Sequence, residues 1–376
     1  MTELKKYFPE GIALGAAFIN RELERKQLIN RVQAIQHSVL MAPRRYGKTS
    51  LVIKVADELG IPHCTIDFLA AYSEEYVRDQ IFNKVRHLVF ELLPRLSKAK
   101  EMLLNIFQQM KPEISIGAFG QRLSLTLSNQ PLQDITELLT KLDETAKHFK
   151  KKSVIFLDEF QQIGELKNHH SIEAAIRHAV ERSQNIAYVF SGSNRRLLQQ
   201  MFADNSRPLY RLCQTITIER MEKSVYITHL QKLSHDRWKK LLSEECIEQI
   251  FKHTELHPFY MNTLCQLVWE NNVLPSIEDI DSKWHNYVKN QRAIITHDVG
   301  ELSSNQRKIL TALAKSPTKE VQSSAFIGSI QISTSSAQQA IDVLLRNDMV
   351  YKDSEGNFRV LDPAVRYYLN TILWLT

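Results

Sequence analysis

Apolar residues in the first 220 positions alternate between short continuous runs and longer stretches of helical spacing. The first run, at 37–43, ends at a proline and follows the amphipathic stretch 21–36. Further short runs lie at 63–68, 151–160, 185–194 and 214–220. Short apolar runs predict buried strands, and helical spacing predicts amphipathic helices. The alternation predicts an α/β domain with a parallel sheet.

The pattern changes twice after this region. Residues 222–298 have helical spacing and contain no run that predicts a strand. Residues 301–376 show three helical segments and then two short strands around Ser354–Asn357, which is the order of a winged helix-turn-helix. We therefore predict an α/β core over 1–220, an all-α lid over 221–300 and a winged helix domain over 301–376.

One segment interrupts the α/β pattern. Residues 74–110 and 132–149 are predicted to be helical, and the Gly-, Ser- and Thr-rich residues 111–131 lie between them. This composition predicts an insertion, formed as a hairpin or a flexible loop. Its residues do not indicate a role.

Composition narrows the class of protein. Hydrophobic residues are 43% and charged residues 24% of the 376 positions, which excludes a largely disordered or fibrous chain. The formal net charge of +6 favours an anionic partner. The four cysteines have no zinc-type spacing, so we expect free thiols. The sequence contains no apolar run of about 18 residues and no signal peptide pattern, so we expect a cytoplasmic protein without a membrane span.

The most informative segment lies between the first predicted strand and the next helix. It resembles a phosphate-binding Walker A loop, GxxxxGK[ST], with alanine at the first glycine position. Its nucleotide-binding candidates are Pro43, Arg44, Arg45, Tyr46, Gly47, Lys48, Thr49 and Ser50. Backbone N–H groups and Lys48 would hold phosphate oxygens, and the Thr49 hydroxyl would bind Mg²⁺.

Two acids end the strand predicted at 151–160. Val154 to Leu157 are apolar, and Asp158 and Glu159 follow, as in a Walker B strand. Because the carboxyl ends of parallel strands gather ligands, Asp158 is predicted to bind Mg²⁺ beside the loop. Glu159 is the predicted general base for an attacking water. The next strand ends in Ser191-Gly192-Ser193-Asn194, and Asn194 is predicted to position that water.

Together these motifs resemble the archaeal-type STAND ATPases, a branch of the AAA+-like P-loop NTPases related to the Orc/Cdc6 initiators. The resemblance extends over about residues 17–376 and includes FINRELE at 18–24, SRPLYR at 206–211 and HPFY at 257–260. It implies a P-loop ATPase core that binds ATP or ADP with Mg²⁺, followed by a helical lid and a winged helix.

The resemblance also implies roles for residues outside the Walker motifs. Phe18, Ile19 and Arg21 would flank the nucleotide, and Arg211 would sense or stabilise the γ-phosphate. Pro258 falls where the family carries a Gly-x-Pro-like motif, although no glycine precedes it here, so a plain helix end is the alternative. Arg44 and Arg45 could face phosphate or a neighbouring acidic element, and for them the resemblance implies a structural or nucleotide-sensing role.

Two functions of different classes remain. The first is an ATP-hydrolysing molecular switch, with Lys48, Glu159, Asn194 and Arg211 as catalytic residues. The alternative is a DNA-binding regulator that holds ATP as a structural ligand. The candidate recognition helix at 333–348 has serines and glutamines, but only Arg346 against two aspartates. This charge balance favours a protein-binding or intramolecular role over DNA. An oligomer is also open, since Arg211 could act on a neighbouring subunit.

Overall fold

The computed structural model describes residues 6–93, 113–117, 120–124 and 130–373. The contacts between Cα atoms divide the chain into two compact units. We call the first the sheet unit, which comprises Arg21–Arg44 and Lys48–Ile218. The second, the C-terminal unit, comprises Met1–Asn20, Arg45–Gly47 and Glu219–Thr376. The three predicted domain boundaries stay a prediction.

The sheet unit is built on five parallel strands in the order β2-β5-β6-β1-β7. These strands are β1 (Ser38–Met41), β2 (His63–Asp67), β5 (Ser153–Asp158), β6 (Ile186–Gly192) and β7 (Gln214–Thr217). All residues of β1 and β6 are buried, which explains why these strands appear in the sequence as continuous apolar runs. The predicted P-loop-type α/β core is confirmed.

Helices connect these strands. They are α1 (Glu22–Gln33), α2 (Lys48–Leu59), α3 (Glu74–Leu92), α4 (Pro131–His148), α5 (His169–Arg182) and α6 (Arg195–Ala203). The apolar faces of α3, α4 and α5 contribute to one buried cluster with side chains of β2, β5 and β6. Pro131 occupies the first turn of α4, where a missing N–H costs no hydrogen bond.

Part of the predicted insertion is described. Strand β3 (Glu113–Gly117) pairs in antiparallel orientation with β4 (Gly120–Ser124). This pairing agrees with the hairpin alternative for 111–131. The other residues of that segment before Gln130, and residues 94–110 of the predicted helix 74–110, lie outside the described residues.

The C-terminal unit is mainly helical. Its helices are α7 (Lys223–Trp238), α8 (Glu244–Thr254), α9 (Pro258–Trp269), α10 (Ile277–Asn290), α11 (Arg292–Gly300), α12 (Ser304–Lys315), α13 (Ser324–Ile330), α14 (Thr334–Arg346) and α15 (Pro363–Tyr367). Strands β8 (Val350–Lys352) and β9 (Phe358–Val360) form an antiparallel pair after α14. Helices α12 to α14 followed by this pair confirm the predicted winged helix.

The lid helices and the winged helix share one hydrophobic core. Trp284 from α10, Leu264 from α9, Leu313 from α12 and Tyr368 after α15 belong to the same buried cluster. Residues 221–300 and 301–373 therefore pack around one core, although the sequence pattern divides them. No helix in the described ranges is long and apolar enough to cross a membrane. All four cysteines are free thiols, as expected.

Candidate functional site

The loop after β1 has a backbone suited to its predicted phosphate. Arg45 and Gly47 lie in the left-handed region, with φ of 63° and 85°. Left-handed residues among right-handed ones turn successive N–H groups to the same side, which makes an anion-binding concavity. Ala42 is not among the residues with positive φ, so alanine fits at the first Walker A position without strain. Helix α2 begins at Lys48 and adds its free amides.

Lys48 is held over its own loop. Its side chain is buried, and its Nζ donates to the carbonyl oxygens of Ala42 at 3.2 Å and Pro43 at 3.1 Å. A buried ammonium group is costly unless acceptors surround it. These two carbonyl groups fix the charge inside the loop, where a phosphate oxygen would meet it.

Thr49 and Asp158 meet as the two Walker motifs predict. The Thr49 hydroxyl donates to Asp158 Oδ2 at 3.2 Å, and the Ser191 hydroxyl donates to Asp158 Oδ1. Asp158 ends β5 and Ser191 lies near the end of β6, so the parallel sheet brings both side chains to one edge. Sequence reasoning missed Ser191. The feature that could have indicated it is a small polar residue one position before the end of a buried strand.

The carboxylate of Glu159 is held by several donors. Its Oε2 accepts from Ser193 Oγ at 2.7 Å, from Gln161 Nε2 at 2.7 Å and from the Ser193 N–H at 3.3 Å. Burial raises the pKa of Glu159, but the hydrogen bonds from Ser193 and Gln161 and the charge of Lys48 outweigh it. The net pKa lies below the ordinary glutamate value, so this carboxylate is ionised at neutral pH.

Asn194 caps the helix that follows β6. It is the N-cap of α6, and its side-chain oxygen accepts from the Leu197 N–H at 3.0 Å. Its predicted role in positioning the water stays a prediction. The residue before it, Ser193, contacts the Glu159 carboxylate. Sequence reasoning missed Ser193 because an amide at a strand end fits the water-positioning role better than a hydroxyl does.

The two loop arginines have different partners. Arg44 Nε donates to Ser193 Oγ at 3.1 Å within the sheet unit. Arg45 belongs to the C-terminal unit, and its guanidinium carbon lies 4.0 Å from the ring centroid of Phe259. Tyr46, in the same unit, contacts the His257 ring edge-on at 4.7 Å. The Arg45 contact is of cation–π type.

Arg211 lies on a loop whose backbone accepts hydrogen bonds from Arg177. Its φ is 56°, its side chain is exposed, and its guanidinium lies 5.0 Å from the Tyr210 ring centroid. Arg177 donates to the carbonyl oxygens of Pro208 and Tyr210. Among the described residues, no hydrogen bond or ion pair joins Arg211 to the Walker side chains. Its predicted role at the γ-phosphate stays a prediction.

The residues predicted to flank the nucleotide lie in both units. Phe18 follows the short 3-10 helix Gly15–Ala17, and Ile19 packs against the core of the C-terminal unit. Arg21 belongs to the sheet unit, where its buried guanidinium pairs with Glu24 at 3.2 Å. Pro258 begins α9. Their contact with a nucleotide stays a prediction.

The oxygen atoms around Asp158 suit magnesium. A hydroxyl and a carboxylate are hard ligands, and Mg²⁺ commonly takes only one or two protein ligands together with substrate phosphates and water. Within the described ranges, no group of three or more His, Cys, Asp or Glu side chains could hold a metal ion by itself. Thr49 and Asp158 therefore fit an ion that arrives with a nucleotide.

Similar structures share this fold at low sequence identity. The Walker-type ATPase of Pyrococcus abyssi is 17% identical with a TM-score of 0.67, and the match covers 94% of this chain and 96% of that one. The ORC2 protein of Aeropyrum pernix in its ADPNP–ADP complexes is 13% identical with a TM-score of 0.54, and the match covers 96% and 98%. No curated protein matches the sequence.

Two protein families match different parts of the sequence. Residues 296–371 match a probable winged helix domain. Residues 18–264 match the family described as an ATPase domain predominantly from Archaea, and this match contains the loop, Asp158 and Glu159. Because the second match covers well over half of the sequence, the chain belongs to that archaeal-type ATPase family.

Proposed function

We propose that this protein is an Mg²⁺-dependent ATP-binding and ATP-hydrolysing switch of the AAA+/STAND type. In this proposal, turnover drives a rearrangement of the helical lid and the winged helix. The observation that carries it is the meeting of Thr49 with Asp158 at 3.2 Å beside the buried Lys48, with Glu159 next along the strand. A solvated turn and an ordinary strand end would not need these buried polar contacts.

Each Walker side chain has a part in the proposed reaction. The loop amides and Lys48 bind the β- and γ-phosphates, and Thr49 and Asp158 hold Mg²⁺. Bound Mg²⁺ supplies positive charge against the charge that develops on the phosphates. Glu159, ionised because of its donors, accepts a proton from the attacking water. Asn194 orients that water, and Arg211 stabilises the γ-phosphate, in the same subunit or a neighbouring one.

A binding titration tests the first step of this proposal. ATP is titrated calorimetrically into the wild-type protein and Lys48→Ala, each with and without Mg²⁺. We expect Mg²⁺-enhanced binding by the wild type and a loss of at least about tenfold in Lys48→Ala, because the lysine is a direct phosphate ligand. Equal affinities of the two proteins would contradict the assignment of the loop.

The DNA-binding alternative has one supporting observation. The first turns of α14 present exposed polar side chains on the winged helix: Thr334, Ser335, Gln338 and Gln339. Hydroxyls and amides of this kind contact phosphates and base edges. Salt-dependent DNA binding that is lost on changing Gln338 and Gln339 to alanine would favour this function. Indifference to DNA at low salt would exclude it.

A further inference from the structure

The carboxamide of Gln161 is an unexpected part of the site. Gln161 lies in the 3-10 helix Phe160–Glu165, and its side chain is 1% exposed. Its Nε2 donates to Glu159 Oε2 at 2.7 Å. The nitrogen is the end of the amide that the carboxylate requires, because an amide oxygen there would repel it. A donor is thus buried against the predicted general base.

The donors that reach the Glu159 carboxylate from the described residues all reach the same oxygen atom. Ser193 Oγ and the Ser193 N–H contact Oε2, as Gln161 does. Within the part of the chain that the structure describes, no hydrogen bond reaches Oε1. The carboxylate is therefore anchored through one oxygen, and the other is left to accept from a water molecule.

Packing alone does not explain the Gln161 amide. Its Oε1 is buried, and no donor among the described residues reaches it. A buried carbonyl oxygen without a donor is unfavourable, and an apolar side chain of the same length would avoid that cost. What the amide provides, and an apolar chain would not, is a donor to Glu159 at 2.7 Å, which also reaches Ser193 Oγ at 3.5 Å.

Gly192 makes room for this amide. A Cβ atom at position 192 would lie 1.9 Å from Gln161 Oε1 and 2.9 Å from Gln161 Cδ. Gly192 is not among the residues with positive φ, so its backbone does not require glycine. Gly192 is the last residue of β6, and it lies against the amide.

We propose that Gln161 is a positioning residue that fixes Glu159 through Oε2 and points Oε1 at the attacking water. Gly192 lacks a side chain so that the amide can lie there. The proposal rests on the proposed function, since it concerns the base of the hydrolysis reaction.

Replacement of the amide tests the role. Gln161→Met keeps the length of the side chain and removes the donor. We expect kcat for ATP hydrolysis to fall by about 10- to 100-fold, because misplacement of a reacting group carries a cost of that order. KM and ATP affinity stay at wild-type values.

The neighbouring Gln162 supplies the matched control. It lies in the same 3-10 helix, its side chain is partly exposed, and it has no side-chain hydrogen bond among the described residues. Gln162→Ala is expected to keep wild-type kcat and KM. Wild-type kcat in Gln161→Met, or an equal loss in both variants, would overturn the positioning role.

A double-mutant cycle tests the link between Gln161 and Gly192. In the wild type, Gly192→Ala displaces the flexible amide, so we expect a kcat loss like that of Gln161→Met. In Gln161→Ala, the nearest remaining atom to the new Cβ is Leu198 Cδ2 at 3.5 Å, an ordinary contact. Gly192→Ala should therefore cost little further activity in that background. Additive losses would overturn the proposal.

The four proteins of this cycle are the wild type, Gln161→Ala, Gly192→Ala and the double variant. They also distinguish a failure of the positioning proposal from a failure of the proposed function. Their thermal unfolding midpoints require no hydrolysis, and Gly192→Ala should lower the midpoint only when Gln161 is present. A wild type that releases no phosphate from bound Mg-ATP overturns the proposed function and the catalytic role together. Additive kcat losses in an active wild type overturn the positioning proposal alone.

Discussion

Tyr260→Phe tests whether the lid helices and the winged helix unfold as one body. Tyr260 lies in α9, and its hydroxyl donates to Asp362 Oδ2 at 2.6 Å. Asp362 is the N-cap of α15 and accepts from the N–H groups of Ala364 and Val365. The substitution therefore removes one hydrogen bond between the two segments and leaves the cap in place.

The loss of stability expected in Tyr260→Phe follows from the surroundings of Asp362. Burial raises the pKa of this carboxyl, and this effect outweighs the Tyr260 hydroxyl, the two backbone donors and Arg45, which act against it. Removal of the donor from a buried acceptor costs about 1–3 kcal/mol. For a unit of this size, 1 kcal/mol corresponds to about 2–4 °C in the unfolding midpoint. We therefore expect a loss of roughly 2–12 °C.

Hydrogen exchange followed by mass spectrometry locates the effect. Because one core joins the two segments, we expect faster exchange in α9 and also in α14 and β9. Tyr287→Phe is the matched control, since its hydroxyl has no hydrogen bond among the described residues and its ring also contacts Trp284. Wild-type exchange in α14, with faster exchange in α9 alone, would show that the segments unfold separately and would refute the reasoning.

Three further predictions concern the sheet unit. Arg207→Ala leaves the fully buried Glu173 carboxylate without its guanidinium partner. We therefore expect the free energy of unfolding, measured with denaturant, to fall by about 3–5 kcal/mol. The double variant Arg207→Ala/Glu173→Ala should regain part of this loss, because it no longer buries the unpaired carboxylate. Thr49→Val should raise the Mg²⁺ concentration for half-maximal hydrolysis, whereas Thr49→Ser should not, because the hydroxyl meets Asp158. The pKa of Glu159 is lowered, so kcat/KM should fall only when the pH decreases below the ordinary glutamate pKa. The contribution of the Glu159 carboxylate to stability should be lost over the same pH range. A fall of kcat/KM at a higher pH would contradict the hydrogen bonds described for Glu159.

The strands and the Walker residues were predictable because they rest on short-range rules. Continuous apolar runs mark strands that are buried on both faces, as β6 is throughout. The carboxyl ends of parallel strands share one edge, so the order of strands and helices along the chain is enough to predict Asp158 beside Thr49. The observed distance of 3.2 Å between their side chains agrees with that expectation.

The contacts of the polar side chains were not predictable in the same way. Whether Ser193 or Asn194 contacts Glu159 depends on where β6 ends and α6 begins. Asn194 serves as the helix cap, which leaves Ser193 for the carboxylate. Boundaries of this kind differ by one residue, and apolar periodicity does not resolve them.

The common core of residues 221–373 was also hidden from the sequence. The change of pattern near residue 300 marks where helices alone give way to helices followed by two strands, and it carries no information about which helices pack together. Trp284 and Leu313 lie on opposite sides of that change and share one cluster. Similarly, Arg45 contacts Phe259 and has a positive φ, and a sequence pattern specifies neither for an arginine.

Phosphate release from saturating Mg-ATP is the most direct test of the central claim. It is measured for the purified wild-type protein and for Glu159→Gln, with ATP affinity determined for both. We predict measurable turnover by the wild type, wild-type ATP affinity in Glu159→Gln, and a decrease in its kcat of about 10²- to 10⁴-fold, the usual contribution of a general base. Equal turnover by the two proteins would contradict the account.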